Sequence, residues 1–74
     1  MQFTPTQEQL DIIMYEVSQY LNKLKNVHTK TLYKTLRIKE KGLSLNKFRG
    51  MLYKMEDSGK LQRNGEALPY WNIN

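Results

Sequence analysis

Cysteine is absent from this 74-residue chain, and histidine occurs once, as His28. Without thiols there is no disulfide framework, thiolate metal site or cysteine nucleophile, and one histidine cannot build a histidine cluster. No strictly apolar run exceeds three residues, whereas about 20 are needed to cross a bilayer. A phosphate-cradling glycine loop and a nucleophile–base pair are also missing. We therefore predict one small non-enzymatic domain with no metal, no cofactor and no membrane partner.

Acidic residues are scarce as well, and their scarcity is local. Seven Asp and Glu stand against twelve Lys and Arg, which gives a net charge of +5. Residues 1–21 contain no base, whereas residues 22–54 contain ten bases and a single acid, Glu40. Positive charge concentrated in one region predicts a polyanionic partner, most often nucleic acid. A solvated lysine-rich surface without a partner is the alternative.

A long helix is the first predicted element, over residues 5–25. Thr4 is predicted to cap it, with Pro5 at the first helical position and Gln7 completing a capping box. Asn26 is predicted to close it. Apolar residues recur at spacings of three and four and form one buried stripe, with Ile12, Tyr15 and Tyr20 widening it: Leu10, Ile13, Met14, Val17, Leu21 and Leu24.

Two shorter helices are predicted next, over residues 29–38 and 45–58. His28 or Thr29 can cap the first, and Ser44 caps the second. Gly59 ends the last helix, because glycine readily adopts the left-handed backbone of a helix stop. The predicted buried stripes are Leu32, Tyr33 and Leu36, followed by Leu45, Phe48, Met51, Leu52 and Met55.

After the third helix the hydrophobic period changes to two, which indicates a hairpin. Residues 60–63 and 70–73 alternate polar and apolar, as half-buried strands do, and Asn64-Gly65 is a strong turn signal. Pro69 places the returning strand at an edge or at its first position. Three helices followed by a two-stranded hairpin predict a mainly α fold, a winged helix-turn-helix domain spanning residues 1–74, with the hairpin as its wing.

Residues 46–71 resemble winged helix domains, and in particular the Zα family, which binds Z-form DNA. The resemblance is carried by three short motifs: Leu52-Tyr53, Gly59-Lys60-Leu61 and Pro69-Tyr70-Trp71. It implies that Tyr53 and Trp71 pack together and face the nucleic acid backbone, and that Pro69 touches that backbone. Arg49 and Leu45 stand where the family has Asn and Lys. We therefore expect binding of ordinary double-stranded DNA first, and of Z-form nucleic acid as a lesser alternative.

The candidate nucleic-acid-binding residues belong to three predicted elements. In a helix-turn-helix the second helix of the pair enters the major groove, where Arg pairs with guanine and Asn with adenine. Lysines of the preceding helix and of the wing contact phosphates. For Trp71 packing in the core is the first expectation, and contact with nucleic acid is the alternative. The candidates are Asn46, Lys47, Arg49, Gly50, Tyr53 and Lys54 on the third helix, Lys30, Lys34 and Arg37 on the second, and Lys60, Arg63, Asn64 and Trp71 in or beside the wing.

Other partners remain open at this point. A winged helix can be a protein-interaction module that docks on a polymerase or nuclease, and Tyr15 and Tyr20 of the acidic first helix would then form the docking or dimer face. RNA or single-stranded DNA could stack on Tyr53, Tyr70 and Trp71. The chain is expected to be a monomer or homodimer that acts in the cytoplasm, the nucleoid or the nucleus as a transcriptional, phage, plasmid or viral regulator.

Overall fold

The computed structural model describes residues 6–74. In that range the secondary structure consists of helices α1 (Gln7–Lys23), α2 (Thr29–Thr35) and α3 (Leu45–Asp57) and strands β1 (Val27–His28), β2 (Leu61–Asn64) and β3 (Tyr70–Ile73). The predicted mainly helical fold with a hairpin after the third helix is confirmed. The prediction of two strands is wrong, because β1, expected as an extended link, adds a third.

The three strands form an antiparallel sheet in the order β1-β3-β2, so β3 is central. Val27 pairs with Trp71 on one side of β3, and Leu61 pairs with Ile73 on the other. Pro69 lies immediately before β3, where its missing N–H removes no hydrogen bond from the sheet. The sheet therefore ties the link between α1 and α2 to the end of the chain.

The first helix starts later and ends earlier than predicted. Thr6 is its N-cap: the Thr6 hydroxyl accepts from the Gln9 backbone N–H at 3.2 Å, and the Gln9 side chain accepts from the Thr6 N–H at 2.9 Å. Gln7 is the first helical residue and not the capping-box partner. The predicted roles of Thr4 and Pro5 lie outside the described residues. The helix ends at Lys23, two residues before the predicted end.

The other two helices end in the same hydrogen-bond motif, but with different residues. After α2 the N–H of Ile38 donates to Tyr33 and that of Arg37 to Lys34, both at 3.1 Å. Arg37 has φ +53°, a left-handed conformation that glycine adopts at less cost. After α3 the equivalent position is Gly59, with φ +79°, so the predicted glycine stop is confirmed.

One hydrophobic core lies between the helices and the sheet. Ile12, Tyr15 and Leu24 were expected to join it, but they are 53%, 65% and 49% exposed because they lie off the buried side of α1. Tyr20 and Leu45 are half-buried. Most of the predicted stripes are confirmed, and the buried apolar residues are Ile13, Val17, Leu21, Val27, Leu32, Ile38, Leu43, Phe48, Met51, Leu52, Met55, Leu61 and Trp71.

Thr29 is a buried polar residue that joins α2 to β3. Its hydroxyl donates to the Pro69 carbonyl at 2.6 Å and accepts from the indole N–H of Trp71 at 2.9 Å. The backbone N–H of Thr29 donates to the same carbonyl at 3.1 Å. Since Thr29 and Trp71 are both 0% exposed, these bonds satisfy groups that water does not reach. They fix the start of the hairpin's second strand against the helices.

Candidate nucleic-acid interface

Helix α3 is buried on one side and presents most of the predicted contact residues on the other. Phe48, Met51, Leu52 and Met55 face the core. Since α-helical neighbours recur every three to four residues, Asn46, Gly50 and Tyr53 lie opposite them. Arg49 and Tyr53 form the side next to the hairpin, here called the hairpin edge. Lys47 and Lys54 form the side next to α1, here called the groove edge.

The Arg49 side chain is held by the hairpin loop. One terminal guanidinium nitrogen, Nη1, donates to the carbonyl of Ala67 at 3.2 Å. A guanidinium has five N–H donors in a rigid plane, so one bond sets its orientation and leaves other donors for a ligand. Ala67 itself has a left-handed backbone, with φ +62°. The predicted base-reading arginine is therefore coupled to the conformation of the loop.

Tyr53 lies between two side chains of the sheet. Its ring meets Trp71 edge to face, with centroids 5.6 Å apart and an interplanar angle of 77°. The Arg63 guanidinium carbon lies 5.2 Å from the centroid of the Tyr53 ring, a cation–π contact. The packing of Tyr53 on Trp71 that the Zα resemblance implies is present. Tyr53 itself remains partly exposed.

Two residues expected to contact nucleic acid, Trp71 and Pro69, are buried. Trp71 is 0% exposed, and its only side-chain donor, the indole N–H, is bound by Thr29. Pro69, which the resemblance places against the nucleic acid backbone, is also fully buried. Trp71 therefore packs in the core, its first expected role, and neither side chain is presented to a ligand.

Arg63 is held by an acid that the sequence reasoning did not single out. Its Nε atom lies 3.2 Å from a carboxylate oxygen of Glu56, the penultimate residue of α3. The hydrogen bond and the negative charge of Glu56 raise the pKa of Arg63 above its ordinary value, so Arg63 stays cationic at any physiological pH. No sequence signal marks this pair, because the two residues belong to different elements.

The cations predicted on the second helix come together around one depression, but α2 ends at Thr35, three residues before its predicted end, so Arg37 lies beyond it. Lys30, Lys34 and Arg37 line it together with Lys39, and its volume is about 460 Å³. Tyr33, Glu40 and Leu45, the first residue of α3, complete its lining. Arg37 lies 3.9 Å from Glu40 in an exposed ion pair. This cluster, called the α2 depression below, therefore borders the start of α3.

Lys41, in the segment between α2 and α3, is bound within the protein. Its ammonium group donates to a carboxylate oxygen of Glu16 at 2.7 Å and to the carbonyl of Leu36 at 2.6 Å. These bonds connect α1 to the segment between α2 and α3, which gives Lys41 a structural role.

Three predicted lysines lie on the other side of α3. Lys47 and Lys54 line a depression of about 340 Å³ between α1 and α3, together with Gly50. Lys60 lines a neighbouring depression, together with Asp11 of α1. Asn46 and Asn64 are exposed, on α3 and at the end of β2. The predicted site is thus divided into the α2 depression, the hairpin edge and a lysine-lined region facing α1.

Two further observations concern ligands and membranes. Residues 6–74 contain no cluster of three or more His, Asp or Glu side chains that could hold a metal ion. None of the helices in this range has the length and apolar composition needed to cross a bilayer. Comparison with protein-family models, with curated proteins and with solved structures found no match to this chain.

Proposed function

We propose that this chain is a winged helix domain that binds double-stranded DNA, and that it acts as a small non-enzymatic regulator. One observation carries the proposal. A row of six bases and two acids runs from the α2 depression over the start of α3 to the hairpin; Arg49 and Glu56 are half-buried and the others are exposed. Each acid, Glu40 or Glu56, is paired with an arginine. The six bases are Lys30, Lys34, Arg37, Lys39, Arg49 and Arg63.

In this proposal α3 reads the major groove. Asn46 and Arg49 lie toward its N-terminal half, which approaches base edges first in helix-turn-helix proteins. Asn pairs with adenine and Arg with guanine through two hydrogen bonds each. Gly50 has no side chain, which allows close approach of the α3 backbone, and the hydroxyl of Tyr53 reaches a phosphate.

Phosphate contacts come from the two flanking elements. Lys30, Lys34 and Arg37 bind the backbone on one side of the groove, and Arg63 and Asn64 bind it from the hairpin. Such contacts position the protein without reading sequence. Lys47, Lys54 and Lys60 are assigned no DNA contact, because they line the depressions that face α1.

The backbone of Arg37 supports its role in binding. A left-handed conformation costs a non-glycine residue about 1–2 kcal/mol. Residues in such conformations concentrate at functional sites, where the side chain offsets the strain. The Arg37 side chain is 76% exposed and contacts Glu40 only at 3.9 Å, so no internal packing explains its presence.

The test is a fluorescence anisotropy titration with a short random-sequence duplex. We expect binding at about 50 mM salt and a loss of roughly 10³-fold in affinity by about 200 mM, as counterions are released. Arg49→Ala should weaken binding roughly tenfold or more, and Lys34→Ala should reduce the salt slope by about one. Lys25→Ala, which removes the same charge from the exposed link after α1, is the matched control.

Two outcomes would contradict DNA binding. One is the absence of binding at about 50 mM salt, where the electrostatic contribution is strong. The other is an equal loss of affinity from Arg49→Ala and Lys25→Ala, which would mean that net charge alone governs the interaction. A preference for single strands over duplex would transfer the proposal to single-stranded nucleic acid.

The packing of Tyr53 on Trp71 favours a narrower candidate, the binding of Z-form duplex. It is tested by circular dichroism of an alternating CG duplex titrated with the protein. Inversion of the DNA spectrum would support Z-form binding. An unchanged right-handed spectrum, at protein concentrations that saturate the duplex, would leave ordinary duplex binding as the function.

A further inference from the structure

Two adjoining depressions lie between α1 and α3. The first has a volume of about 340 Å³ and is lined by Leu10, Met14 and Met51. The second, of about 430 Å³, is lined by Met14, Met55 and Tyr15 among others. Met14 lines both, and the two depressions together, with their methionine-rich apolar lining, are called the α1–α3 groove, with a first and a second part.

The two walls of the α1–α3 groove carry opposite charge. Asp11 lies on the α1 wall of the second part, which Lys60 also lines, and Lys54 lies on the α3 wall of the first part with Lys47 beyond it. Within residues 6–74 none of the lysines that line the groove has a carboxylate within 4.0 Å. Asp11 accepts a hydrogen bond from the amide of Gln7 at 2.9 Å, which leaves its charge uncompensated. Each wall therefore offers unpaired charge to whatever lies in the groove.

The apolar groups of this region have the character of a contact surface. Tyr15 lines the groove and is 65% exposed, although tyrosine is a residue that interfaces bury at their centre. Methionine side chains are flexible and adapt to an incoming surface. Leu43, Met51 and Met55, which form the bottom of the groove, belong to the buried core, and Leu10 and Met14 are half-buried. An apolar floor with an exposed aromatic at its rim is typical of a surface that another polypeptide covers.

A surface with an acidic wall, an apolar floor and a basic wall is complementary to itself. When two such surfaces face each other across a two-fold axis that runs along the groove, the acidic wall of each copy meets the basic wall of the other. We propose that the α1–α3 groove is the contact surface between two copies of this chain. The axis passes beside Met14, Asp11 of each copy faces Lys54 of the other, and Tyr15 of each copy packs on the other's floor.

This dimer goes beyond DNA binding and does not depend on it. Arg49, Tyr53 and Arg63 do not line the groove, so the hairpin edge of each copy stays uncovered. Two uncovered hairpin edges related by a two-fold axis would match two half-sites of a palindromic duplex. The association is measured without nucleic acid, so its failure and the failure of DNA binding are separate results.

The test is sedimentation velocity of the wild-type chain and of two charge reversals, Asp11→Lys and Lys54→Asp. Either variant alone places like charges opposite each other twice in the dimer, so we expect at least a tenfold rise in the dissociation constant. An equimolar mixture of the two variants should dimerise again, because opposite charges then face each other at both contacts. Lys25→Asp, the same change as Lys54→Asp at an exposed site outside the groove, should dimerise like the wild type.

Tyr15→Ala provides a measurement independent of charge, and it should also raise the dissociation constant at least tenfold. Far-UV circular dichroism verifies that each variant retains its helices. A wild-type chain that is monomeric at about 1 mM would overturn the proposal. So would an equimolar mixture that stays monomeric while both single variants are folded.

Discussion

The hairpin edge and the groove edge of α3 both carry basic side chains, but those side chains have different surroundings. On the hairpin edge Arg49 donates to the loop carbonyl of Ala67, and Tyr53 packs between Trp71 and Arg63. On the groove edge Lys47 and Lys54 lie over the α1–α3 groove with no ion pair to any residue in 6–74. The side chains of the hairpin edge are therefore oriented by contacts within the protein, whereas the lysines of the groove edge keep their charge available for a partner.

The difference follows from the chemistry of the side chains. A guanidinium is planar, and one or two hydrogen bonds fix the direction of its remaining donors, which suits the recognition of a base edge. A lysine ammonium is a point charge on a flexible stem, which suits a contact of variable geometry. The hairpin edge is therefore the proposed surface for reading DNA bases, and the groove edge is the proposed contact with a second copy of the chain.

The largest expected effect comes from breaking the support of the hairpin edge. Thr29→Val keeps the shape of the residue but removes the acceptor for the Trp71 indole N–H and one donor to Pro69. We expect the free energy of unfolding to fall by about 1–3 kcal/mol, the cost of leaving a buried polar group unpaired. Urea denaturation followed by Trp fluorescence measures it.

Thr31→Val is the matched control for that change, because Thr31 is exposed on the same helix. It should alter the free energy of unfolding by less than about 0.5 kcal/mol. Equal effects of the two substitutions would mean that the hydrogen bonds of Thr29 do not support β3. The hairpin edge would then be held by apolar packing alone.

The next prediction concerns Arg37, which combines a proposed contact with DNA and a strained left-handed backbone. Arg37→Gly removes a left-handed non-glycine residue and should raise the free energy of unfolding by about 1 kcal/mol. Gly59→Ala makes the opposite change at the end of α3, where an added Cβ meets nothing within 4 Å, and should lower it by about the same amount. Thermal unfolding of both variants gives the comparison.

If the side chain of Arg37 serves DNA binding, Arg37→Gly should also weaken duplex affinity, so stability and affinity change in opposite directions. A more stable variant with wild-type affinity would remove Arg37 from the proposed interface. The α2 depression would then retain only its lysines as phosphate contacts.

A smaller effect is expected at Gly50, between the two edges. An added Cβ at this position has no neighbour within 4 Å, so Gly50→Ala meets open space. Because glycine weakens a helix interior, the substitution should raise the free energy of unfolding by about 0.5–1 kcal/mol. A simultaneous loss of duplex affinity, measured by anisotropy, would support close approach of DNA to α3. Unchanged affinity would identify an incidental glycine.

The smallest effect compares the edges directly. Arg49→Gln removes the hydrogen bond to the Ala67 carbonyl and should lower the free energy of unfolding by about 0.5 kcal/mol. Lys54→Gln removes a charge with no partner among the described residues and should change it by less than that. Replicate urea titrations are needed to resolve so small a difference. If Lys54→Gln lowered the free energy of unfolding more than Arg49→Gln, the proposed difference between the hairpin edge and the groove edge would be contradicted.

Local features account for what could be predicted from the sequence. The stripe at spacings of three and four identified Ile13, Val17 and Leu21 as core, and Ser44 and Gly59 marked the ends of α3 correctly. These signals act within a few residues, through helix geometry and capping. The errors at Ile12 and Tyr15 arose because an apolar residue next to a stripe does not reveal whether another element covers it.

The division of the candidate site could not be predicted, because it depends on contacts between distant residues. Lys41 and Arg63 form ion pairs within the protein, whereas Lys30 and Lys54 form none within residues 6–74. Composition cannot distinguish the two kinds of basic residue. Lys41 is bound by Glu16, 25 positions earlier, and Trp71 is bound by Thr29, 42 positions earlier. Only packing brings such pairs within hydrogen-bond distance.

Periodicity, caps and composition are local properties, and they were enough to predict three helices, a hairpin and the region of the chain that carries the positive charge. Packing between elements set the rest: β1 completes the sheet, Trp71 is buried, and the hairpin edge and the groove edge of α3 have different surroundings. Those outcomes depend on which elements pack side by side, and that choice reflects the free energy of the whole core and not of any one segment.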